Sequence, residues 1–386
     1  MDTAYIGKPI SRVDGRAKVT GGARYAGEHS AHDLVYGYVV NSEIAKGKIK
    51  KIDASRALEV PGVLHVLTHE NRPHIAWFDR SYRDETAPPG SPLRPLYDEN
   101  ILFDSQPVAL VLAQTFELAA YAASLVRVQY ERAPHKTKLS AERANGYEPK
   151  AREHSPTQPR GDAEGEFKKA ALAIDAQYSS PVEHHNPIEL FASTVIWEGD
   201  GKLTIYDKTQ GAPNSHDYVC RVFGLSKSDV RVLSPYVGGA FGVGLRPQYQ
   251  LFLATMAALE LKRSVKVTLT RNQMFSIGHR PHTLQQLRLG ASSNGRLTAL
   301  MHDALGETST YEDFNETVVN WSASLYKCDN ASVRYQIAKL DTDTPIDMRA
   351  PGAALGVYAL ECAIDELAAK AGIDPLEFRI INYTDR

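Results

Sequence analysis

Four glycines fall within the seven residues Gly238-Gly239-Ala240-Phe241-Gly242-Val243-Gly244. They stand between an apolar strand candidate, Val230 to Leu233, and an apolar helix candidate running from about Pro247 to Leu261. Neither a helix nor a strand runs through such a segment. It predicts a tight turn whose backbone approaches a neighbour or a ligand closely. The free N–H groups of a helix start behind it favour an anionic or oxo group. No GxGxxG can be read here, so the spacing does not fit a dinucleotide fold. Two readings stay open on this segment alone: a purely structural turn, or a ligand-facing one.

The surrounding chain reads as two mixed units. In the first, Leu34 to Val40, Val63 to Leu67, Pro107 to Ala113 and Val126 to Tyr130 are strand candidates. Asp53 to Leu58 and Phe116 to Val126 are helix candidates, the second with Thr115 as N-cap. The order from Pro107 onward predicts a compact β-α-β unit. In the second, Ala173 to Tyr178, Thr194 to Trp197, Leu203 to Tyr206, Val230 to Leu233 and Val265 to Thr270 predict strands, with a polar helix near 213–224. Ser293-Asn294-Gly295 predicts a hairpin between Leu284–Leu289 and Arg296–His302. Leu355 to Ala371 predicts a long helix ended by Gly372, with Pro375 beyond. Residues 68–100, rich in Pro, Arg and Asp, predict a long loop that includes Arg80. We expect it to serve a substrate funnel or a subunit contact.

Composition excludes some classes. Acids and bases nearly cancel, for a formal net charge of -2 over 386 residues, so no nucleic-acid partner is expected. No apolar run reaches membrane-spanning length, and the opening MDTAYIGKPISRVDG lacks a secretory apolar core. The cytoplasm is the default location, with co-export to the periplasm by a signal-bearing partner as the alternative. Three scattered cysteines, Cys220, Cys328 and Cys362, form no CxxC pair. They cannot supply the four thiolates of a simple iron–sulfur cluster.

Two further stretches carry chemistry-bearing residues. Met348-Arg349-Ala350-Pro351-Gly352 places an arginine in a turn before the long helix. Its planar fork suits a phosphate or carboxylate, although a surface arginine at a helix start is the plainer reading. His184-His185-Asn186-Pro187-Ile188-Glu189 invites a metal reading. Neighbours on an extended chain point to opposite faces, which favours structural hydrogen bonding over ligation.

Taken together and in order, these segments resemble the molybdenum-cofactor-binding large subunit of the xanthine dehydrogenase/aldehyde oxidase family. The resemblance rests on Arg12-Val13-Asp14-Gly15, Lys18-Val19-Thr20-Gly21, Ala23-Arg24-Tyr25, Gln106-Pro107-Val108-Ala109, HNPIE, GGAFG, MRAPG, Ala359-Leu360-Glu361, Asp365-Glu366-Leu367-Ala368 and Asp374-Pro375. The likeness is greatest to the bacterial periplasmic aldehyde oxidoreductase type. It implies an α+β fold: an N-terminal α/β hammerhead domain over 15–135, a linker over 136–165, and the first part of a mixed α/β molybdopterin-binding domain over 166–386.

The resemblance also implies a function. The expected reaction oxidises an aldehyde to a carboxylic acid with water as the oxygen source. The cofactor is a molybdenum-pyranopterin, with a cytosine dinucleotide form as one option. Electrons leave to [2Fe-2S] and FAD groups on an Fe-S subunit and a FAD subunit. Hydroxylation of an N-heterocycle is the runner-up, a non-catalytic scaffold of the same fold the alternative from another class, and a nicotinamide-dependent dehydrogenase a distant third. Carried over by position, Gly239, Ala240, Phe241 and Gly242 border the cofactor, Gln210 hydrogen-bonds an oxo ligand, Arg349 lies near metal and substrate, and its neighbour Ala350 contacts the cofactor. Glu189 is expected at a junction, in a structural role. No protein atom is expected to ligate the metal.

Two positions depart from the family's pattern: Gly244 stands where a basic residue is usual, and Ala353 where an acidic one is. No Gly-Val-Gly-Glu segment, which would carry the general-base glutamate, occurs in the chain. That glutamate and most pterin contacts are expected on a further polypeptide. The chain alone is expected to bind the pterin weakly and to be inactive.

Overall fold

The computed structural model describes residues 6–73, 75, 93–149 and 155–384. Arg80 and most of the 68–100 loop lie outside them. The strands, in chain order, are β1 (Val35–Asn41), β2 (Gly47–Asp53), β3 (Val63–Thr68), β4 (Asn100–Ile101), β5 (Pro107–Ala113), β6 (Arg127–Arg132), β7 (Leu172–Ser180), β8 (Ala192–Trp197), β9 (Leu203–Asp207), β10 (Val230–Leu233), β11 (Val265–Thr268), β12 (Thr283–Ala291), β13 (Leu297–Ser309) and β14 (Ala331–Leu340).

The largest sheet has seven strands in the order β10-β9-β8-β11-β1-β5-β3. Its seam is a parallel pairing of β1 with β11, Val35 opposite Val265 and Gly37 opposite Val267. Strands from both sides of the 136–165 segment therefore share one sheet. β5, an unbroken apolar run, is buried at every position. The helices Ala212–Phe223 and Tyr249–Leu261 contribute Val219, Val222, Phe252 and Met256 to the same core as Val35, Val195, Ile205 and Val267. Burying one such aliphatic side chain contributes roughly 1.5–3 kcal/mol.

A four-stranded sheet, β14-β13-β12-β7, packs against the helix Ala353–Ala371, whose Leu360, Ile364 and Leu367 are fully buried. That helix ends at Gly372 in the left-handed conformation, with the Gly372 N–H donating to Ala368 O. Described residues of the 136–165 segment bridge to this sheet at two points. Tyr147 pairs with Ile337, and Arg160 with Ala331, at its β14 edge.

Three expectations are corrected. The β-α-β reading fails: Thr115 does cap the helix Phe116–Leu125, but β6 then leaves the large sheet and pairs with β2 in a three-stranded sheet, β4-β2-β6. β6 alternates exposed and half-buried residues, a pattern unsuited to an inner strand. β2 itself was not anticipated, because Lys48, Lys50 and Lys51 obscure the inward Ile49 and Ile52. Finally, the helix after the glycine turn begins at Tyr249. Gln248 is extended, with φ -104° and ψ 162°, and a single short turn, Val243–Leu245, lies between. The long helix therefore does not start directly behind the glycines.

Candidate active site

β9 ends at Asp207, and the chain turns through Lys208-Thr209-Gln210. The glycine turn crosses it. Gln210 N donates to Gly244 O at 2.7 Å, and Thr209 Oγ1 donates to the same carbonyl at 3.1 Å. A Cβ on residue 244 would sit 3.1 Å from Ala240 Cβ and 3.2 Å from Gln210 N, so this close crossing suits a glycine. The side chain of Gln210 accepts the Gly242 N–H on Oε1 at 3.0 Å. That bond decides which end of the amide is which: Oε1 faces the Gly242 N–H, and Nε2 donates to no protein group among the described residues.

The turn is shaped by backbone angles that most residues avoid. φ is +90° at Gly239, +58° at Phe241 and +118° at Gly242. Its entry is held by Glu189, whose Oε2 accepts the Gly238 N–H at 2.6 Å. Burial raises the pKa of Glu189. Behind it lies Lys208, only 1% exposed, with Nζ 3.5 Å from the centroid of the Phe191 ring and no hydrogen-bond partner. Burial pulls its pKa down to about 7, against the opposing pull of Glu189 and Asp207.

The second wall is the loop Asp347–Gly352. Arg349 N donates to Phe241 O at 2.8 Å, so the two loops touch. A Cβ on residue 242 would lie 2.1 Å from Asp347 O. This loop, too, is held from behind. His185 Nε2 bonds Asp347 O at 2.8 Å, Arg280 Nη2 donates to Arg349 O at 2.9 Å, and Glu316 Oε2 accepts the Gly352 N–H at 2.8 Å. Burial pushes Glu316 up to about 7 and His185 down to about 4. The other oxygen of Glu316, Oε1, is buried without a partner.

Gln210, Phe241, Arg349 and Ala350 are exposed on this wall, while Ala240 and Gly242 are buried. The backbone N–H groups of Ala240, Phe241 and Ala350 donate to no protein acceptor among the described residues. The wall therefore presents an arginine, an oriented amide and several unengaged N–H groups. Such a donor set fits oxo, phosphate or carboxylate oxygens.

Residues 147–383 match the family described as the molybdopterin cofactor-binding domain. Residues 20–134 match the aldehyde oxidase and xanthine dehydrogenase a/b hammerhead domain. The chain belongs to the molybdopterin-binding subunits of the aldehyde oxidase and xanthine dehydrogenase family.

Within that family it is 40% identical over 382 residues to the aldehyde oxidoreductase molybdenum-binding subunit PaoC of Escherichia coli K12, covering 98% of this chain and 50% of that protein. The chain thus spans about half the length of that relative. The nicotinate dehydrogenase large molybdopterin subunit of Eubacterium barkeri is 26% identical, with 99% of this chain and 90% of that one covered. The aldehyde oxidoreductase of Desulfovibrio desulfuricans shares the fold, with a TM-score of 0.83 at 23% identity over 98% of this chain and 44% of that one.

The donor set agrees with the chemistry of a molybdopterin cofactor, which is rich in oxygen acceptors. No group of three or more His, Cys, Asp or Glu among the described residues is placed to bind an ion. His184 and His185 part company as their alternation implies. His185 turns to Asp347 O, and the ring of His184 packs 4.7 Å from that of Phe275. None of the described helices is long and apolar enough to cross a membrane.

Sequence reasoning picked out Gln210, Gly239, Ala240, Phe241, Gly242, Arg349 and Ala350, and the structure gathers them on one wall. It missed Lys208, Arg280 and Glu316, which stand behind that wall. A lysine directly after the strand candidate Leu203 to Tyr206 and Asp207 was the one available signal. Arg280 and Glu316 lie in segments with no local pattern.

Proposed function

We propose that the chain is the N-terminal half of a molybdenum hydroxylase unit that oxidises aldehydes to carboxylic acids. Its domains are read as a hammerhead over 15–135, a linker over 136–165 and the first part of the molybdopterin-binding domain over 166–386. The observation carrying this reading is the contact between Phe241 O and Arg349 N, which joins two donor-rich loops into a single exposed wall.

When bound, the molybdenum-pyranopterin, as a cytosine dinucleotide or otherwise, supplies transfer of an oxygen atom derived from water and accepts two electrons. Aldehyde and water give acid, two protons and two electrons. The electrons pass to [2Fe-2S] and FAD groups on partner subunits. Gln210 Nε2 is oriented to donate to an oxo group. The N–H groups of Ala240, Phe241 and Ala350 are further donors to the cofactor, with Gly239 and Gly242 giving it close approach. Arg349 neutralises negative charge that develops on substrate oxygen. The general base lies on polypeptide beyond these residues, which is why isolated chains are expected to be inactive. The complex resides in the cytoplasm or is co-exported to the periplasm.

A second reading, hydroxylation of an N-heterocycle, draws support from the likeness to the nicotinate dehydrogenase subunit, 90% of which this chain covers. Purification of the native complex from its source, with molybdenum analysis and parallel assays on benzaldehyde, hypoxanthine and nicotinate, separates the two. Aldehyde turnover is expected to dominate, and Arg349→Ala to lower kcat/KM about 100-fold. Turnover of heterocycles alone would replace the first reading with the second.

A further inference from the structure

Arg280 lies outside every motif named so far, yet it is buried at 5% exposure directly behind the Arg349 loop. Its guanidinium makes a fork. Nε donates to Glu183 Oε2 at 2.8 Å, and Nη2 donates to Arg349 O at 2.9 Å. Its backbone is tied to the same segment, with Arg280 N donating to Glu183 O at 2.8 Å. Nη1 is buried and has no hydrogen-bond partner among the described residues, and the positive charge lowers the pKa of Glu316 against the larger upward push of burial.

The consequence follows from peptide geometry. The C=O and N–H of one trans peptide point in opposite directions. When Arg280 draws the Arg349 carbonyl inward, the Ala350 N–H must face outward, onto the exposed wall. That orientation costs strain, because Ala350 carries φ +59° without being a glycine. A buried charged donor on the carbonyl is the kind of bond that can hold it, since charge-assisted hydrogen bonds are about twice as strong as neutral ones. His185 does the same one peptide-pair earlier, drawing in Asp347 O.

We propose that Arg280 is a positioning residue: it turns the 349–350 peptide so that the Ala350 N–H becomes a fixed donor to an oxygen of the bound cofactor. Arg280 itself does not touch cofactor or substrate. The inference rests on the proposed function of the wall.

The test uses the native complex. In wild type, amide hydrogen exchange at Ala350 is expected to slow at least tenfold when the cofactor-loaded complex is compared with one depleted of it. Arg280→Lys keeps the charge but loses the fork, so it cannot serve Glu183 and the Arg349 carbonyl together. It is expected to lower molybdenum content per complex about fivefold and to erase the Ala350 protection, while Arg288→Lys, a surface control, changes neither. If wild type holds molybdenum but Ala350 exchanges equally with and without it, the proposal is overturned and the reading of the wall survives. Full molybdenum content and full Ala350 protection in Arg280→Lys would overturn the proposal in the same way. A variant that fails to assemble leaves the wild-type exchange comparison to decide. Wild-type complex without molybdenum or turnover overturns the reading of the wall and this inference together.

Discussion

The two loops of the wall are built by the same device from different materials. In each, a glutamate accepts the N–H of a glycine: the half-buried Glu189 for Gly238 at 2.6 Å and the buried Glu316 for Gly352 at 2.8 Å. In each, a buried basic side chain stands behind the glutamate, Lys208 in one case and Arg280 in the other. The glycine turn adopts its shape because its own residues permit it. Each loop carries one non-glycine residue at positive φ, Phe241 and Ala350, but the glycine turn has two glycines there, Gly239 and Gly242, and the Arg349 loop only Gly352; the Arg349 loop is kept in shape by His185, Arg280 and Glu316 from three separate segments. A loop defined from within is announced by its sequence. A loop defined from behind is not.

The largest expected effect lies where the loops meet. Gly242→Ala places a Cβ 2.1 Å from Asp347 O at a φ of +118°, so backbone strain and steric clash add. A loss of about 3–5 kcal/mol is expected in urea unfolding. Gly238→Ala meets side-chain atoms alone, Glu189 Cβ at 2.7 Å, Glu189 Oε2 at 3.3 Å and Tyr25 Cε1 at 3.4 Å, and should cost less, about 1–3 kcal/mol. If Gly242→Ala unfolds like the parent chain, the two loops do not depend on each other.

Next come the two anchors. Glu189→Ala and Glu316→Ala each remove a buried acceptor and leave a glycine N–H unpaired, at a cost of roughly 1–3 kcal/mol. Glu316→Gln keeps an acceptor for Gly352 and should cost well under the alanine change. Equal losses for Glu316→Gln and Glu316→Ala would show that the Gly352 bond is not what the glutamate contributes.

The effect spread over the widest range of conditions, and the one that sharpens the comparison most, is on pH dependence. Glu316 is raised from 4.5 to about 7, so its contribution to stability is full below pH 4.5 and is lost as pH rises to about 7. Lys208 is lowered from 10.5 to about 7, so its contribution is full above pH 10.5 and is lost as pH falls to about 7. His279 works in the opposite sense over the alkaline range. Burial disfavours its charge, but Asp343 and Glu307 hold its pKa up at about 10, so its contribution is lost as pH rises from 6.5 to about 10. Each group contributes at most about 1.4 kcal/mol per pH unit. The unfolding free energy of the parent chain relative to Glu316→Gln should therefore fall between pH 5 and 7, while His185 and His302, lowered by burial to about 4 and about 3, tilt both curves the other way up to pH 6.5. Between pH 7 and 10, Lys208→Met should unmask the His279 decline. Curves that superimpose would show that neither anchor titrates in the folded chain.

Much of this architecture could be read from the chain itself. Apolar runs such as Pro107–Ala113, the cap at Thr115, the hairpin at Ser293-Asn294-Gly295 and the stop at Gly372 are local instructions, and the structure follows each. So is the glycine turn, because positive φ and close approach are properties of individual residues. Local pattern did not say which strands would share a sheet. The pairing of β1 with β11 joins residues more than 200 positions apart, and β6 left its expected neighbour for a lysine-rich strand. Nor did it reveal Lys208, Arg280 and Glu316 as the supports of the wall. A buried charge is tolerated only where partners from distant segments converge on it, and that convergence exists only once the core has packed.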